Sequence, residues 1–273
     1  MDPAGTFLMG SDKAYPEEAP AHRVTLDGFW MDEHTVTNKD FARFVQRTRY
    51  VTVAERRPDP ADYPGAKPEL LEPSSCVFVM PAHRVSLEDP YNWRKYVPGT
   101  DWRHPQGPGS SVRKLPDHPV VHVAWEDVDA YAASVGKTLP TEAEWEFAAR
   151  GGLDGATYAW GEELAPGGAW KANTWQGEFP VQNTAQDGYH GTAPVSRYPA
   201  NGYGLLDLIG NVWERPSDWY QPHAETSHAC CTLENPRGGG RQESVDPALR
   251  NVAIPRRVMK GGSHLGSRCI IRP

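Results

Sequence analysis

The stretch that most constrains this fold is residues 201–220, where a tight turn separates two acidic residues. An apolar run of leucine and isoleucine is interrupted by Asp207, and after Gly210 the chain soon reaches Glu214. Glycine permits the positive φ that such a turn requires. Two carboxylates across a turn can converge on one hard cation, with turn carbonyls as further ligands. The alternative is a buried turn with two solvated acids, and the spacing alone leaves both open.

The composition indicates a folded, loop-rich chain. Of its 273 residues, 38% are hydrophobic and 10 are Trp, which is enough for a substantial core. Glycine and proline, at 26 each, predict long loops and modest regular secondary structure. Since no internal repeat or interdomain linker is visible, the sequence predicts one compact domain over residues 1–273.

The net charge, the lengths of the apolar runs and the first residues of the chain indicate which partners and which cell compartment to expect. A net charge of −7 argues against a general nucleic-acid surface, which needs a basic excess. No apolar run approaches the length of a membrane span. The first residues contain neither the basic nor the apolar region of a secretory signal, so a cytoplasmic protein is predicted. The oligomeric state is left open.

Capping and periodicity predict short strands and three helices. The strands are expected at residues 6–9, 23–26 and 29–30. Capping boxes at Thr37 and Thr141 and a C-cap glycine at Gly136 mark helix ends. The predicted helices are residues 38–47, residues 127–135, and a third that begins after Thr141 and ends at Gly151.

Residues 51–116 form a long excursion punctuated by proline and glycine. A loop of this length in a compact domain is usually functional or disordered. Its aromatic residues, among them Trp93, Tyr96 and Trp102, favour ordered packing. Two interpretations remain open: a peptide-binding wall, with Trp102 as the candidate substrate contact, and a large insertion packed on the core.

Two histidines flank a pair of valines. The alternation from His118 to His122 predicts a strand with both imidazoles on one face. Two pleats apart, the rings are too distant for a tight shared ligand set, so structural roles are favoured over metal binding.

A looping segment further along carries a second group of oxygen donors. A side-chain amide, a carboxylate and two backbone carbonyls would make a cage suited to calcium. Asn and Asp also favour turns for their own reasons, so these residues alone indicate the site only weakly. The donors are Asn173, Thr174, Asp187 and Tyr189.

Several motifs, in order along the chain, resemble those of a known family. They are residues 7–11, 16–20, 118–123, 139–146, 172–177 and 260–265, with Asn201-Gly-Tyr-Gly-Leu205 and Gly210-Asn-Val-Trp-Glu214 at the centre. They cover nearly the whole chain and resemble the signature of the formylglycine-generating enzymes, or sulfatase-modifying factors. The resemblance implies an α+β, C-type-lectin-like fold, rich in loops and poor in regular secondary structure.

The resemblance also implies two structural calcium ions. One would be held by the donors Asn173, Thr174, Asp187 and Tyr189. The other would be held by the carboxylates of Asp207 and Glu214 with the carbonyls of Gly210 and Val212.

Family members oxidise the cysteine of a sulfatase Cys-x-Pro-x-Arg segment to formylglycine, using oxygen and a copper(I) ion held by two thiolates. Soft thiolates suit copper(I). The resemblance therefore implies a sulfatase polypeptide or peptide as partner, and it places Ser263 at the floor of the active site.

The chain departs from the family where the copper ligands belong. In the family the cysteine pair directly follows the segment matched here by residues 260–265. This chain continues Gly266-Ser-Arg-Cys269, which matches the closing strand of the family instead. Both copper ligands are therefore predicted to be missing. Arg215-Pro216 departs as well, since the family has Trp and a small polar residue there.

The other cysteines do not replace the missing pair. Cys230 and Cys231 are adjacent, so in extended backbone their side chains point to opposite faces. With Cys76 and Cys269, they show no Cys-x-x-Cys spacing, which argues against a zinc ribbon. Buried or idle thiols are favoured. Three hypotheses remain: a formylglycine-generating oxidase, a non-catalytic relative that binds a sulfatase or another peptide, and a truncated inactive copy.

Overall fold

The computed structural model describes residues 2–13, 15–63, 65–223, 232–247 and 254–265. The chain divides into two compact units, the first made of residues 1–35, 139–174 and 196–273, the second of residues 36–138 and 175–195. The single domain over residues 1–273 stays a prediction. Short strands, helices and long loops occur together, and the predicted α+β, loop-rich class is confirmed. Among the described residues no helix has the length and apolar character to cross a membrane.

The described elements are short and separated by loops and single 3-10 turns. The strands are β1 (Gly5–Met9), β2 (His22–Leu26), β3 (Ser74–Phe78), β4 (Arg94–Pro98) and β5 (Leu233–Glu234). The helices are α1 (Asn38–Thr48), α2 (Trp125–Ser134) and α3 (Glu142–Arg150).

The first unit is built on a three-stranded sheet and helix α3. Strand β2 lies in the centre, antiparallel to β1 with Phe7 opposite Val24, and parallel to β5 with Val24 opposite Leu233. Helix α3 packs on β1 and β2. Most of its side chains are buried, including the charged Glu142, Glu146 and Arg150. Buried charges on a core helix need partners, and those partners define the candidate site described below.

Aromatic rings fill the space between α3 and the sheet. Phe147 is 5% exposed, and its ring centroid lies 5.3 Å from that of Phe7 and 5.4 Å from that of Tyr203. On the neighbouring face of the helix, Trp145 packs with Leu205 and Leu208. The apolar run of residues 205–209 is therefore part of the core of this unit.

The second unit has its own core around α1. Thr37 caps this helix by accepting a hydrogen bond from the Asp40 amide at 3.2 Å. Phe41 and Phe44 pack with Trp102 in one buried cluster. Strands β3 and β4 form a separate antiparallel ribbon within the excursion of residues 51–116.

The helix predictions hold where a side-chain cap fixes the end. Helix α1 begins after Thr37, and α3 begins after Thr141 and ends at Gly151, which adopts φ +56°. Helix α2 begins at Trp125 rather than at residue 127, because the Asp127 carboxylate reaches back and accepts from the Ala124 amide at 2.7 Å. It ends at Ser134, one residue early.

Two strand predictions are wrong. Residues 29–30 contribute only an isolated bridge between Phe29 and Asp2. Residues 118–122 form no strand, and His122 adopts a left-handed φ of +58°. Its Nε2–H donates to the Pro105 carbonyl at 2.9 Å while Nδ1 accepts from the Ser75 hydroxyl at 2.8 Å. These distant partners set the backbone of His122, and the local alternation does not.

We expect Phe147→Ala to lower the free energy of unfolding by about 3–5 kcal/mol, because it removes an aromatic side chain from a closely packed core. The matched control is Trp30→Ala, since Trp30 is 81% exposed. That change should alter the free energy by about 0.5 kcal/mol or less. Urea unfolding followed by circular dichroism measures both, and equal losses in the two variants would contradict this account of the core.

Candidate functional site

The turn at residues 207–214 follows a backbone path that few residues tolerate. Asp207, Gly210 and Asn211 have φ values of +58°, +78° and +56°. A Cβ at Gly210 would lie 2.5 Å from the Asn173 carbonyl oxygen, so only glycine fits there. Asp and Asn are the non-glycine residues that enter this region most readily. The backbone path of the turn therefore requires glycine at position 210 and favours Asp and Asn at positions 207 and 211.

The turn brings the buried carboxyl groups of Asp207 and Glu214 close enough for their charges to interact. Asp207 is 9% exposed, and its Oδ2 accepts from the Ser196 amide at 2.7 Å. Glu214 Oε2 accepts from the Trp145 indole N–H at 2.9 Å. Its Oε1 is buried and has no hydrogen-bond partner among the residues that the structure describes.

The electrostatics of this pair are unfavourable without a counter-charge. Burial raises the pKa of the Glu214 carboxyl to about 8, with the Trp145 hydrogen bond opposing the rise and the Asp207 charge adding to it. Burial likewise raises the pKa of Asp207. A hard divalent cation would satisfy the orphaned Glu214 oxygen and neutralise both carboxylates. The donor chemistry of the turn fits such a cation.

The described parts of the chain hold no cluster of three or more His, Cys, Asp or Glu side chains suited to a metal ion. A cation at the turn would therefore rely on carbonyl oxygens beside its two carboxylates. Calcium accepts such mixed oxygen sets.

The turn is hydrogen-bonded to the segment that carries Ser263. Glu214 and Lys260 exchange two backbone hydrogen bonds of 3.0 Å each. The Gly210 amide donates to the Gly261 carbonyl at 2.8 Å, and a Cβ at Gly261 would lie 2.4 Å from the Leu208 carbonyl oxygen. The two stretches are thus packed at backbone contact distance.

Lys260 is buried among the charges of α3. It is 1% exposed, and its Nζ lies 2.6 Å from Glu142 Oε1 and 3.4 Å from Glu146 Oε2. Arg150 adds a second cation, 2.7 Å from Glu146. Burial alone would raise the pKa of Glu146, but Lys260, Arg150 and the Gly10 amide together hold it below its ordinary value. The cluster pairs two cations with two carboxylates.

Sequence reasoning missed this cluster, although a signal was present. Glu142, Glu146 and Arg150 recur every fourth residue along a helix whose other positions are mostly apolar. Such a charged stripe on a helix enclosed by apolar residues indicates a buried partner, here Lys260.

Ser263 follows Gly262, which has a φ of +78°. The Ser263 hydroxyl is partly exposed and accepts from the Leu265 amide at 3.3 Å. Ser263 therefore lies inside the segment of residues 260–265, and its catalytic role stays a prediction.

The residues predicted for the first calcium ion belong to both units. Asn173 and Thr174 are buried in the first unit, at 1% and 2% exposure. In the second unit, Asp187 accepts from the Gln176 amide at 2.9 Å and from the Tyr189 backbone at 3.0 Å. Each residue is held in its own unit, and their joint site stays a prediction.

Trp102 is a core residue of the second unit. It is 4% exposed, and the Arg103 guanidinium covers its ring at 4.2 Å from the centroid. This burial favours the packed insertion over the peptide-binding wall, because a substrate contact needs an accessible face. The role of Trp102 in substrate binding stays a prediction.

Of the four cysteines, only Cys76 lies among the described residues. It lies on β3 opposite Tyr96, and burial raises the pKa of its thiol. Cys230, Cys231 and Cys269, with the predicted closing strand, lie outside the described residues. His118 bonds to the Thr192 hydroxyl at 3.0 Å, and His122 uses both ring nitrogens within its unit, as the structural interpretation expects.

Comparison with solved structures identifies the fold. The chain superimposes on PvdO from Pseudomonas aeruginosa with a TM-score of 0.62 at 22% identity, covering 99% of this chain and 85% of that one. At this identity the likeness extends to the fold alone. A Treponema denticola variable protein 1 matches with a TM-score of 0.57 at 18% identity, covering 99% of this chain and 86% of that one.

Comparison of sequences identifies the family. The family described as the sulfatase-modifying factor enzyme 1-like domain matches residues 2–273. A formylglycine-generating enzyme of Mycobacterium tuberculosis is 49% identical over 266 residues, 96% of this chain and 85% of that protein. The mouse formylglycine-generating enzyme is 44% identical, and the match spans 96% of this chain but 65% of the mouse protein.

A mouse protein named inactive C-alpha-formylglycine-generating enzyme 2 is 45% identical over 224 residues, 81% of this chain and 68% of that protein. The mouse protein named as the enzyme and the mouse protein named as inactive are thus similar to this chain to nearly the same degree. The motifs, the fold and the match over residues 2–273 lead to one conclusion: the chain belongs to the formylglycine-generating enzyme family.

Proposed function

We propose that this chain acts in sulfatase maturation, in the cytoplasm, by recognising the Cys-x-Pro-x-Arg segment of a sulfatase polypeptide. The observation that carries the proposal is the intact segment of residues 260–265, held between a buried ion cluster and the turn at residues 207–214. The family name, sulfatase-modifying factor, supports a sulfatase as the partner. In the family, copper(I) held by two thiolates supplies the oxygen chemistry that forms formylglycine.

The donor atoms supplied by the residues that the structure describes do not fit copper(I). A thiolate clamp needs two deprotonated cysteines aimed at one point. Among the described residues there is one cysteine, Cys76, and burial holds its thiol protonated by raising its pKa. Directly after Leu265, where the family carries its cysteine pair, this sequence reads Gly266-Ser-Arg-Cys269 and has a single cysteine. We therefore propose that the 273-residue polypeptide binds the sulfatase segment without oxidising it.

A relative named as inactive supports the proposal that a chain with this fold can lack catalytic turnover. At 45% identity over 224 residues, the inactive mouse protein is about as similar to this chain as the mouse enzyme at 44%. A non-catalytic role is therefore compatible with membership of this family. The oxidase alternative draws its support from the 49% identical mycobacterial enzyme.

We further propose two structural calcium ions. At the turn, the carboxylates of Asp207 and Glu214 and the carbonyls of Gly210 and Val212 would hold one, supported by the orphaned Glu214 oxygen. Asn173, Thr174, Asp187 and Tyr189 would hold the other, supported by the family resemblance. Loops that bury little apolar area gain stability from such ions.

We expect calcium to stabilise the chelator-treated protein, because the folded chain binds the ion and the unfolded chain does not. At a hundred times the dissociation constant, one site contributes about 2.7 kcal/mol. Asp207→Asn and Glu214→Gln should each reduce the calcium-induced rise in melting temperature. The control is Asp129→Asn, which removes one negative charge from an exposed position on α2 and should leave the calcium-induced rise unchanged. A melting temperature that does not respond to calcium would contradict both sites.

The ionisation of Glu214 predicts a pH dependence for the calcium-free protein. Its pKa is about 8 in the folded state, against an ordinary value of 4.5. Between these values the unfolded chain has lost the proton that the folded chain keeps, so stability falls as pH rises. In chelator, the free energy of unfolding of the wild type relative to Glu214→Gln should decline across this window. Urea unfolding at several pH values measures it, and a constant difference would show that this carboxyl is not perturbed.

We expect the chain to bind a fluorescent Cys-x-Pro-x-Arg peptide without forming an aldehyde in oxygen, copper(I) and a thiol reductant. Replacing the peptide arginine by alanine should weaken binding about tenfold or more, since a charged hydrogen bond contributes roughly 1.5–3 kcal/mol. Replacing the peptide cysteine by serine should leave affinity unchanged, because no metal holds its sulfur. Fluorescence polarisation and mass spectrometry measure the two quantities.

A graft supplies the positive control. Inserting the family's two-cysteine segment between Leu265 and Gly266 should confer copper(I) binding and aldehyde formation if the scaffold is intact. Aldehyde formed by the unmodified chain would refute the non-catalytic proposal and direct attention to Cys230, Cys231 and Cys269. A graft that binds copper(I) and still forms no aldehyde would indicate Arg215-Pro216 as a further departure.

A further inference from the structure

The segment at residues 260–265 is held from two sides by different kinds of contact. On one side Lys260 Nζ lies within 2.6 Å of Glu142 and 3.4 Å of Glu146, both on α3. This ion pairing needs no added ligand. It fixes the beginning of the segment, next to Val258, which is fully buried.

On the other side the segment depends on the turn at residues 207–214. His264 donates twice to the Asn211 carbonyl, from its backbone amide at 3.0 Å and from ring Nδ1 at 3.1 Å. Gly261 accepts from the Gly210 amide at 2.8 Å. Because Ser263 lies between Gly261 and His264, its position follows that of the turn.

Asn211 is the centre of these contacts. It is 1% exposed, its amide donates to the Asn173 carbonyl at 2.8 Å, and its side-chain oxygen accepts from the Asn173 side-chain amide at 3.1 Å. Its left-handed φ of +56° costs free energy for a residue with a side chain. The turn keeps this conformation only while the surrounding contacts outweigh that cost.

The two ends of the turn carry the groups that a cation would join. Asp207 lies at the start and Glu214 at the end, and the buried Glu214 Oε1 lacks a partner among the described residues. A cation bound to both would close the turn, whereas without it two buried carboxyl groups share a site that suits neither charge.

We propose that the turn is a cation-dependent clamp, in which calcium bound between Asp207 and Glu214 orders residues 261–265 through Asn211. Asn211 is then a positioning residue for Ser263, and Lys260 is the anchor that holds with or without the ion. The importance given to Ser263 rests on the proposed function. The clamp itself concerns backbone order and can be measured without a sulfatase peptide.

Hydrogen–deuterium exchange, read by mass spectrometry in excess calcium and in chelator, tests the clamp. At a hundred times the dissociation constant, an opening that releases the ion should become rarer by about a hundredfold. Exchange over residues 258–265 should slow by up to this factor. Amides of β1 and β2 that exchange by local opening should change little, because those openings do not release the ion, whereas amides that exchange only by global unfolding share the effect.

Two variants distinguish the binding of calcium from its effect on the order of residues 258–265. Glu214→Gln keeps an acceptor for Trp145 but removes the charge, and it should abolish the calcium effect over residues 258–265. Asn211→Gly tolerates the positive φ but loses the side-chain bond to Asn173, and it should still bind calcium by calorimetry while protecting the segment less. The matched control is Asn235→Gly, another asparagine at positive φ in the first unit, which should preserve the full protection.

Any one of four results would overturn the proposal. Calorimetry could detect no calcium binding to the wild type. Calcium could bind without slowing exchange in residues 258–265, or slow it equally along the whole chain. Glu214→Gln could keep the local effect. A protein that binds the Cys-x-Pro-x-Arg peptide and gives any of these results would retain its proposed function and lose the clamp, while a clamp without peptide binding would show the reverse.

Discussion

The buried ion cluster of α3 and Lys260 sets the conditions for the rest of the first unit. Charges removed from water are costly unless each finds an opposite partner, and breaking a buried pair by deleting one member costs about 3–5 kcal/mol. Here Glu146 meets both Lys260 and Arg150, and it accepts from the Gly10 amide at 2.8 Å. One set of charges therefore ties the helix to residues far apart in sequence.

The same helix also supports the turn. Trp145, one residue before Glu146, packs against the apolar run before the turn and donates its indole N–H to Glu214. Helix α3 thus presents its charged side chains to Lys260 and the indole N–H of Trp145 to Glu214. The helix therefore contacts both the segment of residues 260–265 and the carboxylate of Glu214. These contacts on several sides explain why such a short helix is almost fully buried.

In the second unit, the long excursion is stabilised by its own packing. Trp102 completes the α1 core with Phe41 and Phe44, and the β3–β4 ribbon gives part of the remaining chain regular hydrogen bonds. A long loop with many aromatic residues can therefore be an ordered insertion. The sequence left this possibility open because aromatic side chains suit both a binding surface and a core.

The sequence alone determined the features that depend on neighbouring residues. Thr37 and Thr141 predicted helix starts because a cap bonds to an amide three residues away, and the motifs around Asn201 and Gly210 indicated the family. Tertiary structure decided what depends on distant partners. His122 takes its backbone from Ser75 and Pro105, Lys260 finds its counter-charges on α3, and Asn211 joins Asn173 to His264. No local pattern encodes these contacts, because their free energy comes from groups that only the folded chain brings together.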